Sequence, residues 1–224
     1  MKKLLTLILL SLSITSFGKI DILLDSNNFL AIDRRFDQTL ESQFSLHVML
    51  ADPNKEMLLY IDSPGGSVMA LTRMLQVMDN SGIRFTCIAR FAASAAFMLF
   101  QNCTKRLILK DGILMSHNAS TSVAGDLPQI IGQLLAITNL LDGIDAIAAR
   151  RMGLTLKEYQ NLIANDLWLD KVLAERYNAI DGIVDSIRCT RELIEKGVTI
   201  KNPYGLDFFL SACPLISSPV LIKE

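Results

Sequence analysis

The stretch MLLYIDSPGGSVMALTRMLQVMDNSG, residues 57–82, decides the fold. MLLYI (57–61) is a continuous apolar run of strand length, the pattern of a strand covered on both faces. DSPGG breaks the run, because paired glycines mark backbone conformations closed to other residues or a close backbone approach. A helix is expected from Ser67, with Val68, Leu71, Leu75 and Met78 on one stripe and Gly82 just past its end.

The same order recurs on both sides. IRFTCIAR (83–90) reads as a strand that passes almost without a loop into a helix, AASAAFMLFQN (92–102). RLIL, the turn KDG and ILMSH (106–117) read as a hairpin of buried strands. Upstream, NFLAID gives a short strand and residues 37–50 a helix with Leu40, Phe44, Leu46 and Val48 on its apolar face. Downstream, a long helix is expected over residues 127–152, capped by Asp126, with Pro128 in its first turn and Gly153 at its end. TLKE (155–158) is a capping box that opens one more helix. This alternation specifies an α/β domain with helices on both faces of the sheet.

At 224 residues the chain is one domain with trimmings. Half of it is hydrophobic and its net charge is −1, so no basic stripe points to nucleic acid and no acidic tract to a solvating tail. MKKLLTLILLSLSITSFG (1–18) has a basic end, an apolar middle and small residues at its close, the order of a secretory signal. Its apolar run is shorter than the ~20 residues of a spanning helix, so cleavage after Gly18 and a periplasmic or secreted product are expected over a membrane tether. The four cysteines permit disulfides in an exported chain. Cys189 and Cys213 could close a loop of about 25 residues. Cys87 reads as a small buried hydrophobe, and Cys103 follows a helix with no evident role. Two histidines and no Cys-x-x-Cys give no basis for a metal site, and no cofactor is expected.

Ser94 stands at the strand-to-helix junction, where open α/β sheets place their sites. The first turn of a helix offers unpaired N–H groups suited to a developing oxyanion, and the flanking alanines leave room for a substrate carbonyl. A base must come from His47 or His117; His117 ends an apolar strand, whereas His47 sits within an amphipathic helix. Asp166, hemmed by apolar residues, reads as a carboxylate in need of a partner, which a histidine N–H supplies. SPGGS (63–67) lacks the Lys-[Ser/Thr] of a phosphate-binding loop.

Together these strings resemble the Clp protease proteolytic subunit, ClpP, and the wider ClpP/crotonase superfamily. The likeness covers residues 28–187: DPNKEMLLYIDSPGGSV, AASAAF, LMSH, LTLKEYQNLIANDLWL and GIVDSI, in that order. It implies a fold of repeated β-β-α units with helices packed around a mainly parallel sheet. It makes Ser94 the nucleophile, His117 the general base and Asp166 the residue that orients the imidazole. The resemblance further implies an oxyanion hole from the Gly66 and Ala95 amides, with Gly65, Asn118 and Ala119 beside the substrate. The domains expected are a signal peptide (1–18), a peptidase domain (19–187) and a C-terminal extension of unassigned role (188–224).

Departures stand beside the likeness. IARF replaces a glycine usual before AAS, Asn118 and Ala119 replace Gln-Pro, and Asp170 is a rival for the acid. ClpP is cytosolic and fed by an ATP-driven unfoldase, whereas an exported subunit meets neither. The expectation is therefore an ATP-independent serine endopeptidase acting on peptides or unfolded chains. Homo-oligomerisation through the long helix is implied, in a ring if the family pattern holds. The alternatives are a signal-peptide-peptidase type with a lysine base, an acyl-CoA enzyme of the crotonase kind, and a non-catalytic assembly protein on the same fold.

Overall fold

The computed structural model describes residues 19–27, 29–201, 207–216 and 218–222. The expected signal segment lies outside them. In chain order the elements are β1 (Asp21–Leu24), β2 (Phe29–Ile32), α1 (Gln38–Leu50), β3 (Met57–Ser63), α2 (Val68–Ser81), β4 (Phe85–Ala93) and α3 (Ala95–Asn102). They continue with β5 (Lys105–Ser116), α4 (Leu127–Met152), α5 (Leu156–Ile163), β6 (Leu167–Leu169), α6 (Lys171–Arg176), β7 (Gly182–Val184) and β8 (Ser186–Cys189). The chain closes with α7 (Arg191–Glu195), β9 (Gly197–Lys201), β10 (Asp207–Ser211) and β11 (Val220–Ile222).

The central sheet has the order β2-β3-β4-β5-β6, with β7 also on β5. β2 to β5 and β7 run parallel, and β6 runs antiparallel to β5. This is the mixed α/β, mainly parallel architecture expected from the sequence. Alternate strand residues feed two cores. Leu59 and Ile61 of β3 face α1 to α6, while Tyr60 packs in a second cluster with Leu24, Ile88, Leu107, Val184 and Leu193.

Four local expectations are corrected. The larger helices α1 to α6 share one face, and the other is covered by β1, β8, α7 and the segment around Cys213 rather than by a second helical layer. Residues 106–116 are not a hairpin. Both halves of β5 pair parallel with β4, and Lys110–Gly112 form an excursion between Ile108 and Ile113. Gly112 is required there because a Cβ would come within 2.8 Å of the Ala89 carbonyl oxygen. Leu46 points to solvent, while Leu40, Phe44 and Val48 are buried. Cys87 and Cys103 are joined in a disulfide, so neither is a free thiol; Cys189 and Cys213 form a second disulfide, the pairing that the sequence permitted without deciding.

The helix signals hold. Asp126 caps α4 by accepting from the Gln129 amide while its own amide donates to Gln129 Oε1, Thr155 and Glu158 form the capping box of α5, and Gly82 and Gly153 end their helices in the left-handed region. α4 is long and apolar enough to cross a membrane by length and composition, yet it buries only Ile144, Ala148, Ala149 and Met152. The expected boundary at residue 187 falls within β8, and the tail adds a three-stranded antiparallel sheet, β11-β10-β9.

A buried ion network braces the core under α4. The Arg106 guanidinium, 2% exposed, binds Asp181 through Nη2 to Oδ1 at 2.6 Å and Nε to Oδ2 at 3.1 Å, and Gln101 Oε1 through Nη1 at 2.7 Å. Arg151 Nη2 adds a contact to Asp181 Oδ2 at 3.2 Å.

Candidate active site

Strand register assembles the site. Ala93 of β4 pairs with Met115 of β5, and the Ser94 amide donates to the Met115 carbonyl at 2.9 Å, so Ser94 arrives beside the end of β5. Ser116 pairs with Leu167 across the antiparallel β5–β6 ladder, which puts the next residues outward, His117 and Asp166, opposite one another. Residues remote in sequence thus meet because three strands stop at the same level.

Ser94 lies between β4 and α3 with φ 56° and ψ −122°, a conformation that non-glycine residues rarely adopt. The sharp turn presents the hydroxyl rather than packing it. His117 Nε2 stands 2.9 Å from Ser94 Oγ. On the other side of the ring, Nδ1 is 4.0 Å from Asp166 Oδ1, beyond hydrogen-bond length. The Asp166 side chain is 59% exposed, so the expected buried carboxylate is instead a solvated one at the rim. Asp170 is removed as a rival, since its Oδ1 accepts from the Leu173 amide and caps α6. His47 lies on α1 and is not among the residues lining the cavity at Ser94.

Gly65 and Gly66 follow β3 with φ of 83° and 149°. The chain passes Phe36 in a parallel bridge, with the Phe36 amide donating to the Gly65 carbonyl and the Ser67 amide to the Phe36 carbonyl, both at 2.9 Å. The Gly66 N–H takes no part in that bridge. Ala95 opens α3, and first-turn N–H groups have no acceptor within their own helix.

A cavity of about 270 Å³ opens at Ser94 and His117. Asn118 and Ala119 line it, and so do Met98, Asp142, Asp145 and Gln160, which the sequence reading did not single out. The only signal available for the acids was their presence, three residues apart, in a helix with no other acid. Behind His117, Ser116 and Tyr159 are fully buried with their hydroxyls 2.6 Å apart, which anchors the end of β5 to α5. Burial pushes the Tyr159 hydroxyl well above its ordinary range, so it stays neutral.

The family model for Clp protease matches residues 17–187. The chain belongs to the Clp protease family. Among curated proteins it is similar to ATP-dependent Clp protease proteolytic subunit 1 of Bifidobacterium longum (strain NCC 2705), 25% identical over 138 residues, 60% of this chain. That alignment spans 59% of the relative's length, so the chain covers less than two thirds of it. Against the family background, the serine, histidine and aspartate quoted from the sequence fall at one site.

Proposed function

We propose that this Clp-family chain is an exported, ATP-independent serine endopeptidase that cleaves peptides or unfolded chains. The observation that carries the reading is the 2.9 Å contact between Ser94 Oγ and His117 Nε2, beside a cavity. Ser94 attacks the peptide carbonyl while His117 takes its proton. The oxyanion accepts N–H bonds from Gly66 and Ala95, each such donor typically worth about 3 kcal/mol. His117 then protonates the departing amine, and a water repeats the sequence on the acyl-enzyme. Asp166 closes on Nδ1 as the imidazolium forms, holding the tautomer and stabilising the charge. Gly65, Asn118 and Ala119 flank the substrate backbone.

Among the described residues no lysine lines the cavity, so the Ser–Lys alternative has no base in place. Two disulfides and the leader-like first eighteen residues favour an oxidising compartment outside the cytosol, where no ATP-driven partner is available. Exposed Leu127, Ile131, Leu134 and Leu135 on α4 offer a surface for self-association, with a second copy as the occupant.

A fluorophosphonate probe applied to the purified protein is expected to label wild type, and not Ser94→Ala or His117→Ala. Labelling that persists in His117→Ala points to another base. An absence of labelling in wild type favours the non-catalytic reading. Cell fractionation of the intact chain tests export, and sedimentation tests self-association.

A further inference from the structure

The cavity at Ser94 holds charge that peptide hydrolysis alone does not use. Its volume, about 270 Å³, is below the roughly 300–1,000 Å³ of whole small-molecule sites and suits a single side chain. Val68, Leu71, Met98 and Ile144 give it apolar walls. Asp142 and Asp145 line it as well; three residues apart on α4, they share one helix face.

Among the described residues no cation balances them. The described lining residues include no lysine or arginine, and neither carboxylate has an ion pair among the described residues. His117 is the only lining group able to become a cation, and it is engaged with Ser94. Gln160 Nε2 donates to Asp142 Oδ1 at 2.8 Å. Burial pushes the Asp145 carboxyl up to about 6, with the Asp142 charge adding to the rise and the Gln160 amide opposing it. An entering ammonium or guanidinium offsets the desolvation of the carboxylates and their mutual repulsion by direct pairing, while its aliphatic stem lies along the apolar walls.

We infer that this cavity is a specificity subsite for a lysine or arginine side chain on the acyl side of the scissile bond, with Asp142 and Asp145 as the residues that select it. The acyl side follows from the lining: Ala95 and Val68 belong to the same turns as the two amides proposed to hold the oxyanion. A leucine fills the apolar part but leaves both carboxylates unpaired, and a glutamate is repelled. The inference rests on the peptidase reading.

The test is a set of fluorogenic peptides identical except for lysine, arginine, leucine or glutamate at the acyl-side position. Wild type is expected to favour lysine and arginine over leucine by about 10-fold or more in kcat/KM, each desolvated charge contact being worth about 1.4 kcal/mol or more. Asp142→Asn and Asp145→Asn should each shrink that ratio, and the double variant should abolish it. The ratio cancels any loss common to all substrates, and the single isosteric variants suffice if the double variant does not fold. Leucine preferred by wild type, or an unchanged ratio in the variants, overturns the subsite while leaving the peptidase reading intact. No turnover of any peptide, together with no fluorophosphonate labelling of Ser94, overturns both.

Discussion

Gly65 lies against the turn that carries the Ser94 hydroxyl: a Cβ placed on it would stand 2.7 Å from the Ala95 amide nitrogen. The same Cβ would come 2.9 Å from Ser94 Cβ, and the Gly65 φ of +83° adds strain for any side chain. Gly65→Ala is therefore expected to cost about 1–3 kcal/mol of stability. It should also lower hydrolysis well below the folded fraction, because the Ala95 amide is pushed from place. Calorimetry beside peptide turnover checks this, and a fully active Gly65→Ala protein contradicts it.

Ser94 holds its left-handed conformation at a stability cost that glycine would not bear. Ser94→Gly is expected to be about 1 kcal/mol more stable than Ser94→Ala, both being inactive. Urea unfolding of the two variants measures the difference; equal midpoints and slopes would show that the turn is unstrained.

Asp166 is exposed and 4.0 Å from His117 Nδ1, so its influence is weaker at rest than that of a buried triad acid. Replacing it with asparagine should reduce kcat by about 10²–10⁴-fold, less than the loss of Ser94 or His117, which cost about 10⁶ in a comparable triad. Single-turnover kinetics on the three variants ranks them. Should Asp166→Asn be as inert as Ser94→Ala, the resting geometry is not what limits the acid's role.

Arg106→Met and Asp181→Asn break opposite halves of the network under α4. Burial alone would raise the Asp181 carboxyl, but hydrogen bonds and charge from Arg106, with Arg151 behind it, hold it below its ordinary value of 3.8. Its folded pKa is depressed, so its stabilisation is present above pH 3.8 and is lost as pH falls through the lower folded value. Loss of Arg106 should cost about 3–5 kcal/mol near neutrality, and the deficit should narrow in acid. Denaturant curves at pH 7 and pH 3 test both statements.

Asp145 has the opposite sign. Its folded pKa is raised from 3.8 to about 6, so the protonated form's advantage is complete below pH 3.8 and disappears as pH rises through about 6. The groups facing it are Asp142 on its own helix, Tyr159 and Gln160 on α5, and His117 at the strand end. Asp145→Asn should be more stable than wild type at pH 7 by on the order of 1 kcal/mol, after screening by solvent at this half-open site. Below pH 3.8 the two should coincide. A pH series of melting curves decides it, and a variant less stable than wild type at pH 7 would show the charge to be compensated after all.

Much of this was legible before any fold was drawn, because local chemistry carries it. The apolar run at 57–61, the caps Asp126 and Thr155, and the glycines at 82 and 153 each act within a few residues, and each stands where the sequence placed it. The strand-to-helix position of Ser94 is equally local, since the apolar strand before it and the helix after it are each set within a few residues.

Partnership across distance was another matter. Whether RLILKDGILMS folds back on itself or continues along β4 depends on which edge is free, and no residue within the segment records that. Cys87 and Cys103 read separately as a hydrophobe and an unassigned residue, because their meeting depends on α3 returning beside β4. The β5–β6 register alone sets Asp166 opposite His117 and leaves it wet, and the packing of α4 over α3 and α5 alone turns Asp142 and Asp145 into the cavity. Sequence determines what each residue can do through its own backbone and its near neighbours. Tertiary packing decides which side chains share water, charge and a substrate, because those depend on distances that chain connectivity leaves free.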